Sequence, residues 1–220
     1  YGPTVGAALS EHPDVAMMYN GLLTGQRYSV GGNQQKGNIL VHKVIGPEGE
    51  LLYEAEPDVK QVSNFVSGLL VADVLQNIVE HGTGRRAKNY QTKNTSKVPL
   101  LGKTGTTNDY KNAAFVGLVP KAYGGAWSIP DGVVLACYVG FDEPTSMVYG
   151  RTKLSGASGA LPVWKQTVEG IEKSGYLGRP NPELTWEAPI QDGLFAVSVD
   201  TKLGFMVDEG TMTINLDRTK

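Results

Sequence analysis

The sequence predicts an α+β fold in which helices pack on an antiparallel sheet. Two observations carry this. From Val62, the apolar residues Phe65, Val66, Leu69, Leu70, Val74, Leu75, Ile78 and Val79 recur at three and four residues, the spacing of one helical face. Beyond it lie three runs rich in β-branched or aromatic residues, Val98–Thr106, Ala113–Val119 and Val133–Phe141, bounded by Gly, Pro, Asn or Asp. Their short connections favour an antiparallel meander, and helices beside such a meander make a layered α+β unit.

The elements follow in chain order. Pro13 suits a first helical turn, and Val15, Met17, Met18, Leu22 and Leu23 supply apolar positions for a short helix ending near Gly21 to Gly25. A hairpin comes next: Ile39, Val41, Val44 and Ile45 lead into a turn at Gly46-Pro47-Glu48-Gly49, and Leu51, Leu52 and Tyr53 leave it. In the long helix, Ser63 can serve as N-cap and Gly82 as the left-handed residue past the end. Thr83 to Lys97 is polar and basic and reads as an exposed loop. After the three strands, a helix over Ala160–Lys173 has Pro162 in its first turn, Trp164, Val168 and Ile171 facing inward, and Gly175 ending it. Residues 1–177 form the main unit. Residues 178–220 read as a Pro-rich linker and small β tail, with strands at Leu194–Val199 and Phe205–Val207.

Composition narrows the function. At 220 residues and 40% hydrophobic, the chain can bury a substantial core. Twenty Lys and Arg against 22 Asp and Glu leave a net charge of -2, which offers no basic field for a phosphate backbone, so nucleic acid is not an expected partner. The longest strongly apolar run, Val133 to Val139, is far shorter than the about 20 residues of a membrane-spanning helix. The chain opens on Tyr1 without Met or a basic leader, and reads as the interior of a longer precursor or a trimmed chain whose anchor lies elsewhere. Cys137 is the single cysteine and reads as a small core residue. His12, His42 and His81 are scattered outside any metal-binding spacing, so neither a metal nor a cofactor is expected.

Chemistry concentrates in Gly102-Lys103-Thr104-Gly105-Thr106-Thr107-Asn108-Asp109. Gly102-Lys103-Thr104 matches the end of a phosphate-binding loop, but Lys97 stands where its first glycine belongs, Pro99 lies within it, and the following residues are poor helix formers. The competing reading is the Lys-Thr-Gly strand of serine β-lactamases and penicillin-binding proteins. A strand edge offers N–H and C=O groups to an extended peptide. Gly105 removes a side chain that would block this approach, and Thr104 and Thr106 share one face, where their hydroxyls can hold a carboxylate. Lys103 would contribute the catalytic positive potential, and the Thr106 N–H an oxyanion donor.

Context raises the specificity of that short motif. His81-Gly82-Thr83-Gly84-Arg85 precedes it, and Phe115-Val116-Gly117-Leu118-Val119-Pro120, Tyr138-Val139-Gly140-Phe141-Asp142 and Gly159-Ala160-Leu161-Pro162-Val163-Trp164 follow it. In these blocks and their order the chain resembles class A, bifunctional penicillin-binding proteins, over the distal part of their transpeptidase domain. Ala114 departs from the family, which commonly has Trp there.

The resemblance implies a peptidoglycan D,D-transpeptidase, in which a serine attacks the D-Ala–D-Ala bond, D-Ala leaves, and an amine of a neighbouring stem peptide resolves the acyl-enzyme. It implies stem peptides and β-lactams as ligands, an extracytoplasmic membrane-anchored location, an upstream glycosyltransferase domain, and the upstream half of the same domain as partner. No serine of this chain begins Ser-x-x-Lys or Ser-x-Asn, so the nucleophile is expected outside it and the chain alone is expected to be inactive. A non-catalytic peptide-binding or scaffold module of the same fold is the alternative. Lys-Thr-Gly by itself is shared with β-lactamases and carboxypeptidases.

Overall fold

A computed structural model describes residues 12–30, 43–55, 57–123, 125–180, 194–199 and 212–217. Its centre is an antiparallel three-stranded meander of β5 (Leu101–Thr106), β6 (Asn112–Tyr123) and β7 (Ala126–Gly140), in that spatial order. Helix α1 (His12–Thr24) and helix α2 (Phe65–Glu80) cover one face, and helix α3 (Leu161–Lys173) covers the other. Side chains of β6 divide accordingly. Ala113, Phe115 and Val119 join the core with α3, whereas Leu118, opposite Leu101, joins Leu23, Leu69, Ala72 and Leu75 below α1 and α2. This is the predicted α+β layering, and the alternation follows from the two-residue period of a strand.

One packing detail fixes the layers. Gly102 and Gly117 are directly opposite each other across β5 and β6. A Cβ on Gly102 would collide with the Phe115 ring; one on Gly117 would collide with the Leu101 carbonyl and lie 3.0 Å from Trp164 Cζ2. The fully buried Trp164 packs over Gly117, edge-on to Phe115 with ring centroids 5.0 Å apart, and its Nε1–H donates to the Leu135 carbonyl at 3.1 Å. Gly68 plays a similar part between helices: a Cβ there would strike the Leu23 carbonyl of α1.

Several expectations need correction at their edges. Asn64 caps α2, its Oδ1 accepting from the Val66 N–H at 2.8 Å, while the carbonyl of the expected cap, Ser63, accepts from Gln61 Nε2. Gly82 is not left-handed. The C-cap is His81, and Gly82 matters for its size, since a Cβ there would come within 2.9 Å of the Ile78 carbonyl. The strand expected from Val98 begins at Leu101, because Val98 is held instead by its N–H donating to the Tyr90 carbonyl.

Strands β6 and β7 run well past their predicted limits at Val119 and Val133 and meet at a reversal containing left-handed Gly125. Phe141 lies just beyond β7, which ends at Gly140. Pro120 and Pro130 read as breakers, yet the ladder accommodates them at a register shift after Val119, where Ser128 Oγ donates to Asp131 Oδ2 at 2.5 Å. Proline is admitted to sheets at such irregularities.

The loop Thr83–Lys97 is not simply exposed. Ala87, Tyr90, Thr92 and Ser96 are buried, and Lys88 and Lys97 both pair with Glu80. The apolar residues there are too sparse to register as a pattern.

Elsewhere the readings hold. Helix α1 stops at left-handed Gly25, and α3 stops before left-handed Gly175. The Gly46–Gly49 turn joins β2 (Lys43–Ile45) to β3 (Leu51–Glu54). Two flanking strands were not anticipated: β1 (Gln26–Val30) pairs with β4 (Pro57–Gln61). Short strands β8 (Val148–Tyr149) and β9 (Thr152–Lys153) form a further hairpin. The tail contributes β10 (Leu194–Val199) paired with β11 (Met212–Asp217). Ile39, Val41 and the expected strand Phe205–Val207 lie outside the described residues.

We expect Gly117→Ala to lower the stability of the chain by about 2 kcal/mol, because neither the Leu101 backbone nor the Trp164 ring can yield cheaply. Gly170→Ala, in an exposed stretch of α3 where a Cβ meets nothing within 4 Å, should raise it by about 0.5–1 kcal/mol. Urea midpoints of the two variants check both signs.

Candidate functional site

The motif residues lie on β5, an outer strand of the sheet among the described residues. Lys103 sits inside the strand and opens no helix, so a phosphate-loop geometry is absent. Backbone direction follows from the ladder. Thr107 N–H donates to the Asn112 carbonyl at 3.0 Å, which makes that pair hydrogen-bonded and the neighbouring Thr106–Ala113 pair non-hydrogen-bonded. Alternation then turns the N–H and C=O of Thr106 and of Thr104 away from β6, to the outer edge. The Lys103 ammonium already uses that edge, donating to the Thr104 carbonyl at 2.8 Å.

Thr104 and Thr106 share the face of the sheet that also bears α3. Their hydroxyls are held from two sides. Thr83, in the turn after α2, places its Oγ1 2.7 Å from Thr104 Oγ1. Gly156 donates its N–H to Thr106 Oγ1 at 2.9 Å. Gly156 opens a wide π-type turn, Gly156–Ala160, that runs straight into α3 and is capped by reciprocal bonds between Ser155 and Ser158. A helix start of this kind carries partial positive charge on its free N–H groups. The Thr106 hydroxyl thus accepts from a positively polarised donor.

Gly105 and Gly156 sit back to back, and a Cβ on Gly156 would come within 2.6 Å of the Gly105 carbonyl. A Cβ on Gly105 itself would make only ordinary contacts with Ala114, 3.4 Å to its Cβ and 3.9 Å to its carbonyl oxygen, so the fold does not require glycine there. Ala114 stands opposite it in register.

The far end of β5 is strongly tethered. Thr107 Oγ1 accepts from the Asn112 N–H at 2.8 Å, and Tyr138 donates its hydroxyl to Asn112 Oδ1. Asp109 and Tyr110 both take left-handed backbone angles, an unusual cost for consecutive non-glycine residues. Ser146 Oγ on the Asp109 carbonyl, Met147 N–H on the Tyr110 carbonyl and the Lys153 ammonium over the Tyr110 ring hold them there. Among the described residues, no group of three or more His, Cys, Asp and Glu could hold a metal. Burial pushes the Cys137 thiol above its ordinary range, away from the thiolate form that reacts.

No family model matches the chain. It is 32% identical over 204 residues to penicillin-binding protein 1A of Neisseria lactamica, which covers 86% of the chain and 22% of that relative. Over most of its length this chain is homologous to class A penicillin-binding protein 1A. The protein of that name from Neisseria cinerea is 32% identical over 150 residues, 65% of the chain and 16% of the relative. That from Rickettsia typhi is 28% identical over 155 residues, again 16% of the relative. The crystal structure of penicillin-binding protein 1A from Haemophilus influenzae superposes on 99% of the chain with a TM-score of 0.67 at 19% identity, which shows a shared fold. The chain spans 33% of that structure and less than a quarter of these curated relatives.

Within this penicillin-binding-protein fold, sequence reasoning placed Lys103, Thr104, Gly105 and Thr106 on one strand edge, where the structure has them. It missed Thr83, Arg86 and Gly156. Thr83 lay in a block read only as a mark of the fold. Gly156 had one faint signal, a serine three residues from another serine, and Arg86, which donates to the Ala157 carbonyl at 3.2 Å, had none.

The loop that carries Thr83 is moored to α3 through Tyr90, whose hydroxyl donates to Glu172 Oε2 at 2.7 Å, while Lys93 N–H donates to Glu172 Oε1. Burial, and then Glu172, raise the Tyr90 pKa above its ordinary 10.0. A raised phenol stabilises the fold fully below pH 10, and that contribution drains away as pH climbs from there toward the folded-state value. We expect Tyr90→Phe to lose about 1–2 kcal/mol near neutral pH and to show a shallower decline above about pH 10. Urea titrations at both pH values check the sign.

Proposed function

We propose that this chain supplies one wall of a peptidoglycan D,D-transpeptidase site, with Lys103 providing positive potential, Thr104 and Thr106 gripping a carboxylate, and the Thr106 N–H serving the oxyanion. The observation that carries the reading is the outer edge of β5, which offers an outward N–H and two hydroxyls on one face beside an exposed ammonium. An extended stem peptide ending in D-Ala–D-Ala can lie along such an edge as an added strand. β-Lactams would take the same place, and the names of the homologous proteins, penicillin-binding protein 1A, support that ligand class.

In this reading the acylated serine lies on a portion of the domain that this chain does not contain, together with its activating lysine. The serine oxygen bonds to the carbonyl carbon of the penultimate D-Ala, the terminal D-Ala leaves with a proton, and an amine then displaces the serine. Donors aimed at the developing oxyanion act best where water is excluded, so this wall needs its other half. The reading places the site outside the cytoplasm, with residues 178–220 as an appended tail. A non-catalytic peptide-binding module has one observation in its favour, the lack of Ser-x-x-Lys in this chain, and an upstream Ser-x-x-Lys would remove it.

The test is acylation kinetics in the polypeptide that joins this chain to the nucleophile-bearing portion. Thr106→Val should slow penicillin acylation by about tenfold while changing stability by less than about 1 kcal/mol. Lys103→Ala should slow it further. Wild-type rates in both variants would rule out the carboxylate-binding role.

A further inference from the structure

Thr104 and Thr106 are held in parallel ways. Thr106 Oγ1 accepts from the Gly156 N–H, which leaves its single proton available to another acceptor. Thr104 is 2.7 Å from a second hydroxyl, Thr83 Oγ1, and either oxygen can be the donor. Each hydroxyl carries one proton. If Thr104 gives its proton to a bound carboxylate, the bond between the threonines survives only with Thr83 as donor. We propose that Thr83 is a positioning residue for carboxylate recognition: its hydroxyl donates to Thr104 and thereby directs the Thr104 proton to the ligand. This rests on the carboxylate-gripping role of Thr104 and Thr106 proposed above.

The local structure holds Thr83 for this task. Its two glycine neighbours fold back on the end of α2, the Gly82 and Gly84 N–H groups both donating to the Ile78 carbonyl at 3.0 and 3.1 Å. Gly84 is buried, and a Cβ there would press on Val79 at 3.2 Å. The turn continues into Arg86, which donates to the carbonyl of Ala157, the residue after Gly156. The supports of Thr104 and of Thr106 are therefore joined to each other and not only to β5. Thr83 is itself exposed, so its side chain is not needed to fill the core. Hydrogen bonds in a chain polarise one another, and two hydroxyls with filled acceptor positions are better donors to an anion than two free ones.

The consequence is selectivity for ligands that carry a carboxylate. In the polypeptide with the nucleophile present, Thr83→Val should slow acylation by a free-acid β-lactam by about tenfold, and by its methyl ester by less than about twofold. Thr83→Ser should restore most of the free-acid rate. Wild-type acylation by the free acid in Thr83→Val, or an equal loss for acid and ester, would overturn the proposal. Thr106→Val and Lys103→Ala are measured beside it. If those two are slow and Thr83→Val is not, this inference alone fails; if all three are at wild-type rate, the proposed site itself is wrong.

Discussion

Gly102 and Gly117 leave room through which two layers touch: the Phe115 ring lies over the first and the Trp164 indole over the second. Much else depends on that contact. Trp164 anchors α3 to β6 and β7, and α3 is continuous with the turn that begins at Gly156. The seating of one indole therefore determines where the Gly156 N–H meets Thr106, and Glu172 on the same helix determines where the Tyr90 loop lies. Core packing and site geometry are one problem here. An interior packed to crystal-like density transmits small displacements, so an error at Gly117 would be felt at the strand edge.

The chemistry of the edge lies in which way protons point. A threonine hydroxyl has one proton and two lone pairs, so an oxygen that accepts a hydrogen bond still has its proton to give and is a somewhat stronger donor. On this face a helix-start amide and a neighbouring threonine stand next to the two hydroxyls. The Lys103 ammonium rests on the Thr104 carbonyl at the same edge. The two left-handed residues after the strand, Asp109 and Tyr110, show that its far end is held in a backbone conformation it would not choose alone.

The layering and the motif strand were legible because both depend on local pattern. The three-and-four spacing gave α2, and Gly105 between two threonines gave a face with two hydroxyls. What could not be read depends on contacts distant in sequence or on exceptions to local rules. Thr83 meets Thr104 across 21 residues and Gly156 meets Thr106 across 50, and no periodicity encodes such meetings. Pro120 and Pro130 hid the true length of β6 and β7, because a bulge absorbs them. Gly82 misled for a related reason: glycine past a helix usually supplies backbone freedom, whereas here it supplies room over Ile78.

We propose that this chain builds a ligand-gripping wall and leaves the nucleophile to another part of the domain. Intact-mass spectrometry after incubation with penicillin tests it, first on the chain alone and then mixed with a separately made portion that carries Ser-x-x-Lys. An unmodified mass is expected for this chain in both cases, and an adduct on the other portion where the two associate. A stoichiometric adduct on this 220-residue chain would contradict it.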